Sequence, residues 1–153
     1  MASESTAIDI IIKNANPWRD GQVRDLYIAD GRFTRPPEGG DSGGAVVIDA
    51  AGKLCVAGFV EPHIHLDKVM LANSVPVNKS GSLDEAIQIL TNRKKSYSAD
   101  DISDRAGHTI LSAVANGVTR MRTHIDIDSV CGLAAFDAML DVRKRFAEML
   151  ELQ

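Results

Sequence analysis

Residues 55–68 read CVAGFVEPHIHLDK, and residues 117–129 read GVTRMRTHIDIDS. Both stretches open on a strand-like run and close on imidazoles and carboxylates. Cys55 to Val60 is almost continuously apolar, the pattern of a strand buried on both faces in a helix-flanked parallel sheet. Pro62 breaks the run, and His63 and His65 follow. Side chains two apart on an extended chain project to the same side. Two imidazoles placed in this way can share one metal, and imidazole suits zinc and iron alike. In α/β barrels the chemistry sits at this end of the strands. His63 and His65 are therefore candidate metal ligands, with a plain pair of packing histidines as the alternative. Asp67 and Lys68 come directly after them. They are placed to orient a ligand, to touch substrate or to pair with each other.

In the second stretch the even positions carry Arg122, His124, Asp126 and Asp128, and the odd ones Met121, Ile125 and Ile127. The apolar set is expected to pack under helices, turning Arg122, His124 and Asp126 inward. A polar inward face is costly unless its groups are paired or functional. An exposed edge-strand face is the alternative.

Between the two stretches, Ser82-Leu83-Asp84-Glu85 has the form of a capping box. Ala86, Ile87, Leu90 and Tyr97 continue that helix face. Ser98 starts a second helix through Ile102, Ala106 and Ile110, and Asn116-Gly117 ends it. Leu133, Phe136, Met139, Leu140, Ala147 and Leu150 mark a third helix. Ahead of Cys55, Ile8–Ile12, Val23–Ala29, the segment near Phe33, and Ala45–Asp49 read as short strands. Asn14, Asn16 and Pro17 are expected to end the first strand, and Asp30-Gly31 to form a hairpin turn. The expected order is a small antiparallel β unit, then β, α, α, β, α, with parallel strands in the later part.

The chain has 153 residues, enough for a real core, and 17 Lys plus Arg against 21 Asp plus Glu. That mildly acidic balance argues against a general nucleic-acid binder. Arg93-Lys94-Lys95 reads as a solvated helix end. No apolar run approaches the roughly 18 residues of a membrane span, and MASESTAIDIIIK lacks the pattern of a signal peptide. Cys55 and Cys131 read as reduced thiols of a cytoplasmic protein. Gly40-Asp41-Ser42-Gly43-Gly44 spells the string around a serine-protease nucleophile. Yet all four histidines (His63, His65, His108, His124) follow Ser42, whereas that protease order puts His and Asp first, so the string reads as a turn. His108 reads as a packing or surface residue of the second helix.

Residues 57–68 and 117–129 resemble the first two barrel strands of metal-dependent amidohydrolases of the cytosine deaminase and N-isopropylammelide amidohydrolase branch. IIIKNANPW with DLYIADGRF resembles the small β-sandwich that precedes the barrel in that superfamily. The resemblance implies an α/β fold: a β-sandwich portion over 1–54, then over 55–153 the first two βα units of an incomplete (β/α)8 TIM barrel. It implies hydrolysis of C–N bonds in a cyclic nitrogen compound or amide by metal-activated water. His63 and His65 match the first two ligands of a divalent metal, zinc or iron. His124 and Asp126 match supporting positions on the second strand, and Asp67 and Lys68 the loop after the ligand pair. The remaining ligands and the proton-moving residues are expected on later strands, so the catalytic residues are unknown. A barrel takes about 250 residues, and a catalytic zinc usually takes three protein ligands. The chain is therefore expected to form an oligomer or to be completed by another chain. A catalytically incomplete fragment or non-enzymatic assembly module is the alternative.

Overall fold

A computed structural model describes residues 7–18, 21–37 and 43–153. Residues 1–6 of the N-terminal stretch, and Gly40, Asp41 and Ser42 of the protease-like string, lie outside the described residues. The chain divides into two compact units, Met1–Ala57 and Gly58–Gln153.

The first unit holds β1 (Ile10–Pro17), β2 (Arg24–Ala29), β3 (Arg32–Thr34), β4 (Val46–Asp49) and β5 (Leu54–Cys55). The sheet order is β3-β2-β1-β4, and β5 pairs with the far end of β1. Asp30 and Gly31 have φ of 50° and 68°, the two positive values that a tight hairpin turn requires. β1 does not stop at Asn14. That residue takes φ 52°, and the register with β2 slips between Ile12 and Ala15. A bulge thus absorbs the asparagine, whose side chain donates to Asp49 Oδ1 at 3.0 Å. The expected antiparallel unit is in fact mixed, because β1 runs parallel to β4 and β5. Parallel pairing requires a crossover rather than a hairpin, and β2 and β3 lie between β1 and β4 in the chain. Ile8, Ile11 and Ala29 form a small core.

The second unit holds β6 (Phe59–Ile64), a 3-10 turn (Leu66–Lys68), α1 (Leu83–Lys94), α2 (Ala99–Ala115), β7 (Val118–Thr123), α3 (Ala134–Arg145) and β8 (Glu151–Leu152). Its sheet order is β6-β7-β8, all parallel. Ser82 caps α1 by accepting the Glu85 N–H at 3.2 Å. The Glu85 carboxylate does not close the box back onto Ser82. It takes the N–H groups of Lys79 and Ser80, at 3.1 and 2.7 Å, instead. Ser98 caps α2 through the Asp101 N–H at 3.1 Å, and Gly117 follows its end with φ 87°. Leu66, Ile102, Ile110, Met121, Val142 and Phe146 lie in the core where α2 packs on β7 and on α3.

Four expectations change. Cys55–Val60 is not one buried strand: it is split between β5 and β6, and Phe59 and Val60 are each 58% exposed. β6 is an edge of its sheet, so only one neighbouring strand covers it. β7 ends at Thr123 rather than Asp128, because beyond His124 the backbone turns to a side chain, the Asp126 N–H reaching Asp67 Oδ2 at 3.1 Å. α1 stops before Tyr97, where the Ser96 hydroxyl donates to the Arg93 carbonyl at 2.9 Å. α3 stops at Arg145, and the chain then adds β8 as a third parallel strand. No helix among the described residues is long and apolar enough to cross a membrane.

Candidate functional site

Pairing of β6 with β7 brings their C-terminal ends together. The His124 N–H donates to the Ile64 carbonyl at 2.7 Å, and the Leu66 N–H donates to Thr123 Oγ1 at 3.1 Å. Between these two stitches stand three imidazoles. The His63 ring centroid lies 5.5 Å from that of His65 and 4.2 Å from that of His124, and His65 lies 5.7 Å from His124. The His63 backbone is held by its N–H on Glu61 Oε1 at 3.1 Å. Burial, then the neighbouring His63, His65 and Arg122, hold the His124 imidazole below its ordinary pKa, so it is neutral at pH 7. Neutral imidazole is the ligating form.

The donor set therefore fits a soft-to-borderline divalent metal. Among the described residues, however, no group of three or more His, Cys, Asp or Glu stands ready to hold one. His124 lies against His63 with an interplanar angle of 30°, packed on that ring more than aimed beside it. His63 and His65 thus form a two-imidazole donor pair at the end of β6, with His124 packed on His63.

Behind the imidazoles, Asp67 is 1% exposed. Its Oδ2 accepts the Asp126 N–H, while its Oδ1 and His65 Nδ1 are both buried without a partner, 3.9 Å apart. An unpaired buried polar atom costs about 1–3 kcal/mol. Arg105 donates to the carbonyls of Asp67 and Val69 at 3.0 and 2.9 Å.

Lys68 and Asp126 do not face the imidazoles as separate groups. They pair with each other at 2.8 Å, and Lys94 from α1 joins them at 2.5 Å to Asp126 and 2.7 Å to Asp128. Burial works against the charge on Lys94, but hydrogen bonds from Asp126 and Asp128 outweigh it and raise its pKa above the ordinary lysine value. Burial likewise opposes ionisation of Asp126, and Lys68 with Lys94 reverses that. Lys94, then the Cys131 and Val130 N–H groups, hold the Asp128 carboxyl well below the usual range. Four charges in alternation thus tie α1 and the turn after β6 to the loop after β7. Burial and Asp128 push the Cys131 thiol upward, so it is a protonated bystander.

Lys94 corrects the reading of Arg93-Lys94-Lys95 as a solvated end: its side chain is only 10% exposed, and Arg93 pairs with Asp101 at 2.6 Å. The signal was present, because Lys94 falls on the same helix face as Ile87 and Leu90. Arg122 is exposed and donates to Gln153 at 3.1 Å. His108 is exposed on α2, its ring bonded to the Asp104 carbonyl at 2.8 Å.

No protein-family model matches the chain. It is 25% identical over 157 aligned residues to the N-isopropylammelide isopropyl amidohydrolase of Pseudomonas sp. (strain ADP), covering 97% of this chain and 38% of that protein. Among solved structures, 5-methylcytosine deaminase from Klebsiella pneumoniae, liganded with 5-fluorocytosine, superposes with a TM-score of 0.80 at 36% identity, over 94% of this chain and 35% of that one. The zinc complex of atrazine chlorohydrolase from Arthrobacter aurescens TC1 shares the fold with a TM-score of 0.66 at 14% identity, over 94% of this chain and 34% of that one. The chain thus spans little more than a third of the length of these proteins. The resemblance to amidohydrolases read from the two strand motifs holds along nearly the whole chain.

Proposed function

We propose, from this likeness to a third of an amidohydrolase, that the chain is the part of a metal-dependent amidohydrolase that supplies its first ligands. The reaction is hydrolysis of a C–N bond, a deamination or amide cleavage, in a small cyclic nitrogen compound. The observation that carries the reading is the meeting of His63, His65 and His124 at the ends of two parallel strands. In this reading residues 1–54 are part of a β-sandwich and residues 55–153 begin a (β/α)8 barrel. His63 and His65 hold a divalent metal, zinc or iron. The metal supplies Lewis acidity and a water acidified toward neutral pH. His124 packs against His63 and limits its ring rotation. Asp67 backs His65. Lys68 and Asp126, locked by Lys94, fix the two loops that border the substrate, and offer neither a free base nor a free acid. The rest of the ligand set, and the groups that move protons, come from further barrel strands in a longer chain or a second polypeptide. The free thiols Cys55 and Cys131 support a reducing, cytoplasmic setting.

In the complete enzyme, His63→Ala and His65→Ala each abolish turnover of aminated heterocycles. Unchanged turnover in both variants contradicts the reading. A second reading, an assembly module without turnover of its own, is favoured by the half-complete ligand set. Deaminase activity in the purified 153-residue chain rejects that second reading.

A further inference from the structure

We propose that Asp67 is the positioning residue of His65: its Oδ1 accepts the His65 Nδ1 proton and so leaves the Nε2 lone pair turned to the open side of the site. This rests on the reading of His65 as a metal ligand. The carboxylate is held firmly in place. The side chain is 1% exposed, Oδ2 accepts the Asp126 N–H at 3.1 Å, and Arg105 grips the Asp67 carbonyl at 3.0 Å. Oδ1 has no partner, and neither has the buried Nδ1 of His65, 3.9 Å away. A hydrogen bond to a carboxylate closes at about 2.7–2.9 Å, so the two atoms need to approach by about 1 Å to join. The His65 side chain is nevertheless 38% exposed, although its Nδ1 is buried. The nitrogen that keeps the proton in a neutral imidazole is set by the hydrogen bond its partner nitrogen makes. Lys68 and Lys94 are committed to Asp126 and Asp128, so they do not compete for Oδ1. The rival donor is the Tyr97 hydroxyl, which is also buried without a partner and close enough to feel the Asp67 charge.

The test is imidazole 15N NMR of the full, metal-free chain at a pH of about 8, where free imidazole is neutral, with His65 assigned by its loss in His65→Gln. The expected wild-type signature is the Nδ1–H form. Asp67→Asn keeps an oxygen for the Asp126 N–H and turns its amide N–H toward Nδ1. It switches His65 to the Nε2–H form and lowers zinc affinity about 10- to 100-fold. Tyr97→Phe leaves the His65 signature unchanged. A wild-type Nε2–H form, or an unchanged signature in Asp67→Asn, overturns the proposal. The wild-type spectrum decides even if Asp67→Asn does not fold. An Nδ1–H signature that switches in Asp67→Asn, with no zinc bound by either chain, supports the role of Asp67 and counts against the metal reading instead.

Discussion

Lys94 shows how a single side chain links sequence, packing and site. A lysine at an apolar helix position is costly to bury unless its ammonium is paired, and here it meets two carboxylates at 2.5 and 2.7 Å. Exposed ion pairs contribute about 0–1 kcal/mol, and breaking a fully buried one costs about 3–5 kcal/mol. Lys94→Met lies between these limits, so urea denaturation is expected to show a loss of about 2 kcal/mol. Asp101 makes the pH dependence explicit. Burial opposes its ionisation, but Arg105 and Arg93 outweigh burial and lower its pKa from 3.8. A depressed carboxylate binds fewer protons folded than unfolded, so its stabilisation is present above pH 3.8 and is lost as pH falls through the lower folded value. Denaturation curves therefore flatten above about pH 5 and weaken below about pH 4, and Asp101→Asn reduces that slope. An unchanged slope in the variant contradicts this account. Of the candidate site, the meeting of His63, His65 and His124 was legible in the sequence because both motifs close strand-like runs, although His65 and His124 fall one residue past the ends of β6 and β7. The pairing of Lys68 with Asp126 was open, because a partner 58 residues away leaves no local trace, and Lys94 was misjudged although its place on the apolar helix face signalled burial.

Elements are readable where local chemistry decides them. Ser82 and Ser98 cap α1 and α2, and Asn116-Gly117 ends α2, because each satisfies backbone groups within a few residues. Ser82→Ala and Ser98→Ala are each expected to cost about 1 kcal/mol, read as lowered denaturation midpoints. Elements that depend on distant pairing were hidden. Leu152 seals the core from a strand of two residues, too short for any periodicity. The parallel partners of β1 are likewise invisible from its own sequence. The contact of β6 with β7 is tight: a Cβ on Gly58 would stand 2.3 Å from Thr119 Cγ2 and 2.9 Å from its Cβ. Thr is stiff at χ1, so Gly58→Ala forces the strands apart and is expected to cost about 1–3 kcal/mol. Thr119→Ala recovers part of that loss. Equal stability of Gly58→Ala and the wild type contradicts the close approach.

At the scale of the molecule, the candidate site stands at the C-terminal ends of two strands of a three-stranded sheet. β6 exposes Phe59 and Val60 at one edge, and α3 leaves Phe136 and Leu140 partly exposed beside β8. Apolar surface and open strand edges favour association, which agrees with similar proteins almost three times as long. The central claim is that His63 and His65 bind the metal of an amidohydrolase. Native mass spectrometry of the protein from its own source, wild type beside the His63→Ala/His65→Ala variant, tests this most directly. The account predicts a zinc- or iron-bearing species containing a longer chain or a second polypeptide, with the metal lost in the variant. A metal-free wild type, or a metal retained by the variant, would contradict it.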